Sequence, residues 1–504
     1  MEKSPEQIYI DYKRKIINQR SAVEQFLFLF ENSEIHRERI KCLEMICRIG
    51  LREDNVFKFF ENLLIADIDE NIRILAATCL RKLFLEKAYI PIKWAYLHEK
   101  SIFCLIELIS LIADLAAMNQ MCDAKSFLID QVNKIDLFQF RNSLRINRNN
   151  TNISNLSSSL LATIIKQYLI IRHFSEKPAN FTYALRTGLI SKFDLSGINK
   201  NAFGWNILKK FFDFFETFES IRNLDLKDNR ITEIPTSIGN LKNLVYLNLS
   251  YNDLQVLPES VGLLRNLRYL ILSHNKITDL PCSIANLTHL KILDLRHNIL
   301  NTIPNEINSL TNLLNLDLHG NQFENLLNVN LDLKGLKRLD LGLNRVKILP
   351  QWLINSESLK ILNLGSNNII LDFGLLQKLK FLAVLNISDN NLKNVPGNVE
   401  LMKSLKVLNL SNNQLISLPQ ELRSLKELRS LDLSWNNFTN LPEWISDLTA
   451  LERLSLRGNR LKQLPSSLGN LASLKVLNLK LNKNLRKIPY SLKELQKKGL
   501  FIYK

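Results

Sequence analysis

Fifteen glycines in 504 residues nowhere assemble a loop that cradles phosphate: neither G-x-x-x-x-G-K-[ST] nor G-x-G-x-x-G occurs. Also missing are a G-x-S-x-G nucleophile elbow, an H-E-x-x-H zinc pair and any C-x-x-C. These absences remove the common nucleotide-binding, hydrolase, zinc-protease and thiol-redox classes. No catalytic residue, metal ligand or cofactor is expected. The six cysteines are scattered, five of them before residue 221, so they do not form the framework that staples small secreted domains. Long apolar runs are absent as well. The windows near 105–117 and 160–171 are too short, or too interrupted by charge, to span a bilayer. The opening MEKSPEQIYIDYKRKI is charged throughout and does not read as a secretory leader. A reducing, cytoplasmic compartment is the expectation, with no transmembrane segment.

What is present begins with charge. The net +17 is unevenly spread: residues 1–220 carry 30 basic and 26 acidic side chains, residues 221–450 carry 23 and 21, and residues 451–504 carry 13 and 2. The chain has a basic end rather than a basic character.

From Ile221 a unit of 23 residues repeats twelve times without a slip, opening at Ile221, Leu244, Leu267, Leu290, Leu313, Leu336, Leu359, Leu382, Leu405, Leu428, Leu451 and Leu474. The second unit reads LVYLNLSYNDLQVLPESVGLLRN and the ninth LKVLNLSNNQLISLPQELRSLKE. Apolar first, fourth and sixth positions give a short strand, and stacked units place the strands side by side in a curved parallel sheet. The ninth position is asparagine in every unit, from Asn229 to Asn482. Its side chain both donates and accepts, so it satisfies the backbone that turns after the strand and bridges to the next unit. Nine units carry proline at position fifteen, where a fixed φ and a missing donor suit the start of the outer segment. The fifth unit has Leu327 there and the seventh Phe373, while the twelfth carries one extra residue before Pro489. The altered outer face near units five to seven is either a second binding surface or drift.

The motif L-x-x-L-x-L-x-x-N-x-L resembles the leucine-rich repeat. In its 23-residue form it is similar to intracellular leucine-rich-repeat proteins of the Ras-group-related kind, over about residues 221–495. The resemblance implies an α/β solenoid, a leucine-rich-repeat horseshoe with short parallel strands on its concave face. It also implies partners among small GTPases and the components of their pathways. Extracellular members of the wider group usually carry cysteine-rich end caps, and this sequence has none.

Before the repeats, residues 1–117 read as helices, with Ser33, Asp54 and Ser101 as N-caps. The segment 56–84 resembles a HEAT repeat, a pair of antiparallel helices, with an upstream copy aligning Ile35, Cys42, Leu43 and Ile46 with Ile72, Cys79, Leu80 and Leu83. A generic helical bundle is the alternative. Asp67-x-Asp69-x-Asn71 opens like a calcium loop, but the required glycine is Ile72 and the closing glutamate is Thr78, so a helical turn is expected. Residues 118–185 read as a mixed connector with an Asn/Ser-rich loop at 142–159, an apolar run at 160–174 and a strand near 181–185. Residues 186–220 read as a cap with a decayed first repeat at 189–197. They end in an aromatic helix over 203–218 whose Trp205, Phe211, Phe215 and Phe218 lid the open core. A membrane-binding amphipathic helix is the other reading of that segment. Residues 221–504 are the twelve repeats and a modest C-terminal cap around Leu500 and Ile502.

Third, fifth, seventh, eighth and tenth positions point to the concave face and are read as free of scaffold duty. The fifth column is mostly Asp or Asn, as at Asp225, Asn248, Asp294, Asp317 and Asp340, and is read as keeping the face soluble. The other columns hold Tyr246, Tyr251, Tyr269, His274, Arg296, His297 and His319 in one contiguous early patch, then Trp435, then Arg453, Arg457 and Arg460. Tyrosine, tryptophan and arginine are the usual anchors of protein interfaces. His274 and His297 are close enough to share a metal or to repel when protonated, yet no carboxylate or cysteine evidently completes a site. The basic end grips an acidic protein, contacts nucleic acid or anionic lipid, or solvates the last repeat. The expected function is a non-catalytic protein-interaction scaffold or signalling adaptor. The alternative is nucleic-acid or anionic-membrane binding through the basic C-terminal repeats.

Overall fold

The computed structural model of the chain describes residues 3–504 except 119–121, 136–152, 176–181, 187–188, 198–211, 213, 325, 327–330, 371–372 and 377. Two compact units are present, one of residues 1–179 with 184–191 and one of residues 180–183 with 192–504.

The first unit is helical: α1 (Pro5–Lys13), α2 (Gln19–Asn32), α3 (His36–Ile49), α4 (Asp54–Ala66), α5 (Glu70–Leu83), α6 (Leu85–His98), α7 (Ile102–Ala117), α8 (Cys122–Asn133) and α9 (Ser158–Ser175). Successive helices pack as pairs, α2 with α3, α4 with α5 and α6 with α7, while α3, α5 and α7 pack in series. That is the stacking a HEAT-like array requires. Cys42, Leu43, Ile46, Ile72, Cys79, Leu80 and Leu83 are all buried, but Ile35 is 58% exposed. The mismatch has a local cause: Ile35 is the N-cap of α3, whereas Ile72 lies inside α5. Helix α7 is apolar on nearly all sides because α5, α6, α8 and α9 all pack against it. Helical structure thus continues past residue 117, and α9 accounts for the apolar run at 160–174.

The caps fall within two residues of their expected places. Ser101 caps α7, its Oγ accepting the Cys104 amide at 3.4 Å. Asp54 is the first residue of α4 behind Glu53. Ser33 stands two residues ahead of the α3 cap, where its Oγ accepts the Ile35 amide at 3.2 Å and donates to Glu38 at 2.8 Å. The acidic turn between α4 and α5 is a helix junction. Asp67 accepts from Arg39 at 2.7 Å; Asp69 caps Asn71 at 2.8 Å and faces His36 at 2.6 Å.

The strands follow one another in chain order within a fifteen-stranded sheet, and from β3 (Asn223–Asp225) onward they lie in the second unit. Strand β1 (Thr182–Arg186) answers the strand expected near 181–185. From β2 (Leu189–Asp194) to β15 (Phe501–Tyr503) every pairing is parallel, with the same positions of successive repeats opposite one another, as Tyr246 is opposite Tyr269. The decayed repeat joins in register, Lys192 pairing with Asn223. Leucines of positions one, four and six fill the interior, as Leu267, Leu270 and Leu272 do at zero exposure.

The asparagine ladder sits beneath the strand ends. The Asn298 amide donates to the Leu272, Leu295 and Arg296 carbonyls at 3.0, 2.9 and 3.4 Å, and its Oδ1 accepts the Ile277 amide at 3.0 Å. Two of those partners belong to the preceding repeat, so one side chain both closes its own turn and fastens its neighbour. All nine position-fifteen prolines stand immediately before a 3-10 turn, as Pro258 does before Glu259–Leu263 with φ −70°. Where Phe373 replaces proline the turn is instead α-helical (α10, Phe373–Leu376), and Pro489 precedes the longer α11 (Tyr490–Lys497). Leu327 lies outside the described residues.

Most of the aromatic helix read over 203–218 also lies outside them, including Trp205 and Phe211. The described remainder is a 3-10 turn, Phe215–Phe218, with Phe212, Phe214, Phe215 and Phe218 buried. The Phe218 ring packs 5.8 Å from that of Phe193 on β2. At the opposite end Leu500 is buried and β15 pairs with β14 (Val476–Asn478).

Candidate functional site

Position eight of every repeat has a left-handed backbone, from Asp228 (φ 59°) through Tyr251, His274 and His297 to Trp435 and Leu481 (φ 61°), with Gly320 and Gly458 among them. The chain turns sharply there to leave the strand, and that conformation aims successive side chains along one line. Few non-glycine residues tolerate it; Asp, Asn and His are the ones enriched in it.

This line brings Tyr251, His274 and His297 together, flanked by Lys227 and His319 from the seventh position. Lys227 Nζ lies 5.0 Å from the Tyr251 ring centroid. Tyr251 stacks on His274 at 4.1 Å and 12°, His274 on His297 at 4.4 Å and 27°, and His297 meets His319 edge-on at 5.3 Å. His319 Nδ1 ends the run 3.4 Å from an Asp340 carboxylate oxygen. Beside it, Tyr246 and Tyr269 form a second column with ring centroids 6.3 Å apart. Tyr251 is half exposed, while Tyr246, Tyr269 and the three histidines are partly buried against their neighbours.

Two glycines make room for the rings. A Cβ on Gly320 would stand 2.5 Å from His297 Nδ1, and one on Gly342 would stand 2.8 Å from His319 Nδ1. At the far end Gly458 does the same for Trp435, where a Cβ would come within 2.7 Å of the indole. Arg457 lies over the Trp435 ring, 5.7 Å from its centroid. Arg453, Arg457 and Arg460 are all exposed. The named side chains therefore form two groups, Tyr246 to His319 in repeats two to five and Trp435 with the arginines in repeats ten and eleven.

The fifth column is not free of scaffold duty. Asn248, Asp294 and Asp340 are buried, and their Oδ1 atoms accept the amides of Ser250, Arg296 and Gly342 at 3.0, 3.1 and 3.0 Å. Asn248 and Asn363 also donate sideways to Asp225 and Asp340 at 2.9 and 2.8 Å. A short acceptor satisfies the amide two residues on, just ahead of the left-handed turn, where the chain has left the sheet, which is why the column is Asp or Asn.

Electrostatics follow from this crowding. Burial lowers the pKa of His274, with the His297 and Arg296 charges adding to it; burial, His319 and Arg296 do the same to His297. The stacked imidazoles are thus held neutral at pH 7. Burial and the neighbouring Asp340 raise the Asp317 pKa, and Arg296 pairs with Asp294 at 3.2 Å. Burial, and then Asp225, raises the Tyr246 phenol. Among the described residues no three His, Cys, Asp or Glu side chains are placed to hold a metal ion. Facing rings present flat surfaces to each other, not a converging set of nitrogens. What the surface offers is rigid aromatic area with polar edges.

Sequence reasoning found the rings and the arginines but not Lys227, Gly320, Gly342 or Gly458. One signal was available: seven of the twelve eighth positions are Gly, Asn, Asp or His, the residues that accept a left-handed backbone.

Known proteins place these repeats in context. A leucine-rich-repeat family model matches residues 219–277, 265–323 and 380–438, and a second one matches 450–471. No curated protein matches the chain. Among solved structures it is similar to a leucine-rich-repeat protein of Leptospira interrogans, 30% identical over 62% of this chain and 90% of that one, with a TM-score of 0.46. An internalin of Listeria monocytogenes is 22% identical over 69% of this chain and 96% of its own, with a TM-score of 0.45. TLR13 in complex with ssRNA13 is 27% identical, covering 57% and 47% respectively, with a TM-score of 0.49.

Proposed function

The chain belongs to the leucine-rich-repeat family, and from that premise we propose that it is a non-catalytic recognition protein, a scaffold or signalling adaptor that grips a protein partner on its strand face. The observation that carries this reading is the continuous column of Tyr251, His274, His297 and His319 with Tyr246 and Tyr269 alongside. Binding normally costs rotamer entropy for each side chain it immobilises. Rings already stacked, with glycines cleared beneath them, lose little of it. Trp435 with Arg457 is a second anchor of the kind that dominates interface energetics. Strands about 4.8 Å apart put the two groups roughly 24 Å from each other along the sheet, a span suited to a folded domain rather than a short peptide.

The six unpaired cysteines support a cytoplasmic location, and among the described residues no helix is long and apolar enough to cross a membrane. The resemblance drawn from the repeat makes a small-GTPase pathway component one class of partner for this face. Affinity capture from native lysate tests the reading with three proteins: the wild type, a Tyr246→Ala/Tyr269→Ala/His274→Ala variant and an Arg453→Glu/Arg457→Glu/Arg460→Glu variant. A partner retained by the wild type and lost from either variant supports strand-face recognition. Equal recovery from all three refutes it.

A further inference from the structure

Repeat twelve alone carries one more residue ahead of its proline, so Pro489 stands one place late. The insertion falls in Lys483-Asn484-Leu485-Arg486-Lys487-Ile488, half of which are cations. This segment, together with α11 and Lys504, frames an open cavity of about 710 Å³ lined by Lys483, Arg486, Lys487 and Lys493 beside Leu485 and Ile488. These five cations are exposed, while Leu485 and Ile488 are partly buried. Among the described residues, no aspartate or glutamate lines it.

These charges are also uncompensated over a wider range. Residues 451–504 hold two acids, Glu452 and Glu494, and Lys475 and Lys497 occupy them at 2.8 Å each. Lys483, Arg486, Lys487 and Lys493 have no carboxylate within ion-pair distance among the described residues. Earlier in the solenoid some exposed cations are matched across repeats, as Lys276 is to Asp253, Lys347 to Glu324 and Arg423 to Asp447. Alternating signs are enough to keep a terminal repeat soluble. Five cationic side chains around one concavity repel one another and are relieved by a counter-anion.

We propose that this cavity binds a small, multiply phosphorylated anion, free in solution or carried as a lipid headgroup. The volume falls in the range of small-molecule sites, roughly 300–1,000 Å³. Arg486 supplies the planar fork that matches a phosphate and the lysines supply movable point charges. Leu485 and Ile488 give the carbon frame of such a ligand something to lie against. The inference does not depend on strand-face recognition, since it uses none of the same residues.

Isothermal titration of the full chain with inositol hexakisphosphate and with pyrophosphate tests it, alongside flotation on phosphatidylcholine vesicles with and without phosphatidylinositol 4,5-bisphosphate. The Arg486→Glu/Lys487→Glu variant is compared with a Lys380→Glu/Lys403→Glu control that makes the same charge change outside the cavity, thermal melts confirming that both fold. Saturable binding by the wild type, weakened about tenfold or more in the cavity variant and unchanged in the control, supports the site. Retention on the phosphoinositide vesicles assigns the source to a headgroup, and binding of the soluble anions alone assigns it to a free ligand. The proposal is overturned by no saturable binding in any arm, or by equal loss in both variants. A single-stranded RNA that binds through the same residues and is not displaced by inositol hexakisphosphate also overturns it.

Discussion

The helical unit and the repeat unit both stack copies of a motif, but they fasten the copies with different chemistry. Between helix pairs the links are charged: Arg39 reaches Asp67, and Arg73 reaches both Glu99 oxygens and the Asp67 and Ile68 carbonyls. Between repeats the buried links are made by short side chains, the asparagine ladder and fifth-position contacts such as Asn248 to Asp225, while the ion pairs lie at the surface. A long arginine reaches its partner across a range of spacings, so the helical copies are free to diverge in length and wording. A short asparagine that must meet four backbone groups at once tolerates no change of spacing. The rigid period of one unit and the loose period of the other follow from the reach of those side chains.

The widest separation between the two modes is expected from removing one link in each. Asn321→Ala deletes donations to the Leu295, Leu318 and His319 carbonyls and the acceptor for the Leu300 amide, leaving buried groups unpaired. Urea unfolding should register a loss of about 4 kcal/mol. Arg73→Met strands Glu99, whose side chain is 8% exposed, and should cost about 3 kcal/mol. A cost below that of an ordinary surface substitution at either site would break the comparison.

Acid distinguishes the two units. Burial raises the Glu99 pKa, but Arg73 and the Ser101 and Lys100 amides outweigh it and bring the carboxyl down to about 2. A folded value below the unfolded one, about 4.3, means stability present above that pH and lost as pH falls towards 2. Urea titrations of the wild type should show that loss, and Arg73→Met should abolish most of it. Asn321→Ala should leave it intact.

Smaller effects sharpen the account of the ring column. Gly320→Ala meets both a left-handed backbone, φ 68°, and the His297 ring, and is expected to cost about 2 kcal/mol while broadening the His297 ring resonances. Smaller still is the effect of His297→Ala on its neighbour. His274 is expected to titrate below the ordinary imidazole value of about 6.5, and removing His297 should raise its pKa. Because both folded-state values are depressed, the histidines contribute stability at neutral pH that declines as pH falls below 6.5. A nuclear magnetic resonance titration reads each ring directly; a His274 pKa unmoved by His297→Ala would contradict the stacking.

The repeat unit was legible because its asparagine, leucines and proline state their jobs at fixed intervals. The helical unit was legible in type but less so in extent. Helix α7 looked like an ending at residue 117, although its apolar circumference can only be covered by further helices, α8 and α9. In the candidate site, the side chains with recognisable chemistry were found and those that merely give way were missed. Gly320 and Gly342 act through what they lack. The fifth column reads as solvation because an aspartate capping an amide two residues away looks, in a sequence, like an aspartate facing water.

We propose that the strand face recognises a protein through its preset ring column. Titrating the captured partner into wild type and into Tyr246→Ala/Tyr269→Ala/His274→Ala by isothermal calorimetry tests it most directly. An affinity loss of at least about a hundredfold, with the fold intact by circular dichroism, is the predicted result for three interface anchors. Affinity unchanged within about twofold would contradict it.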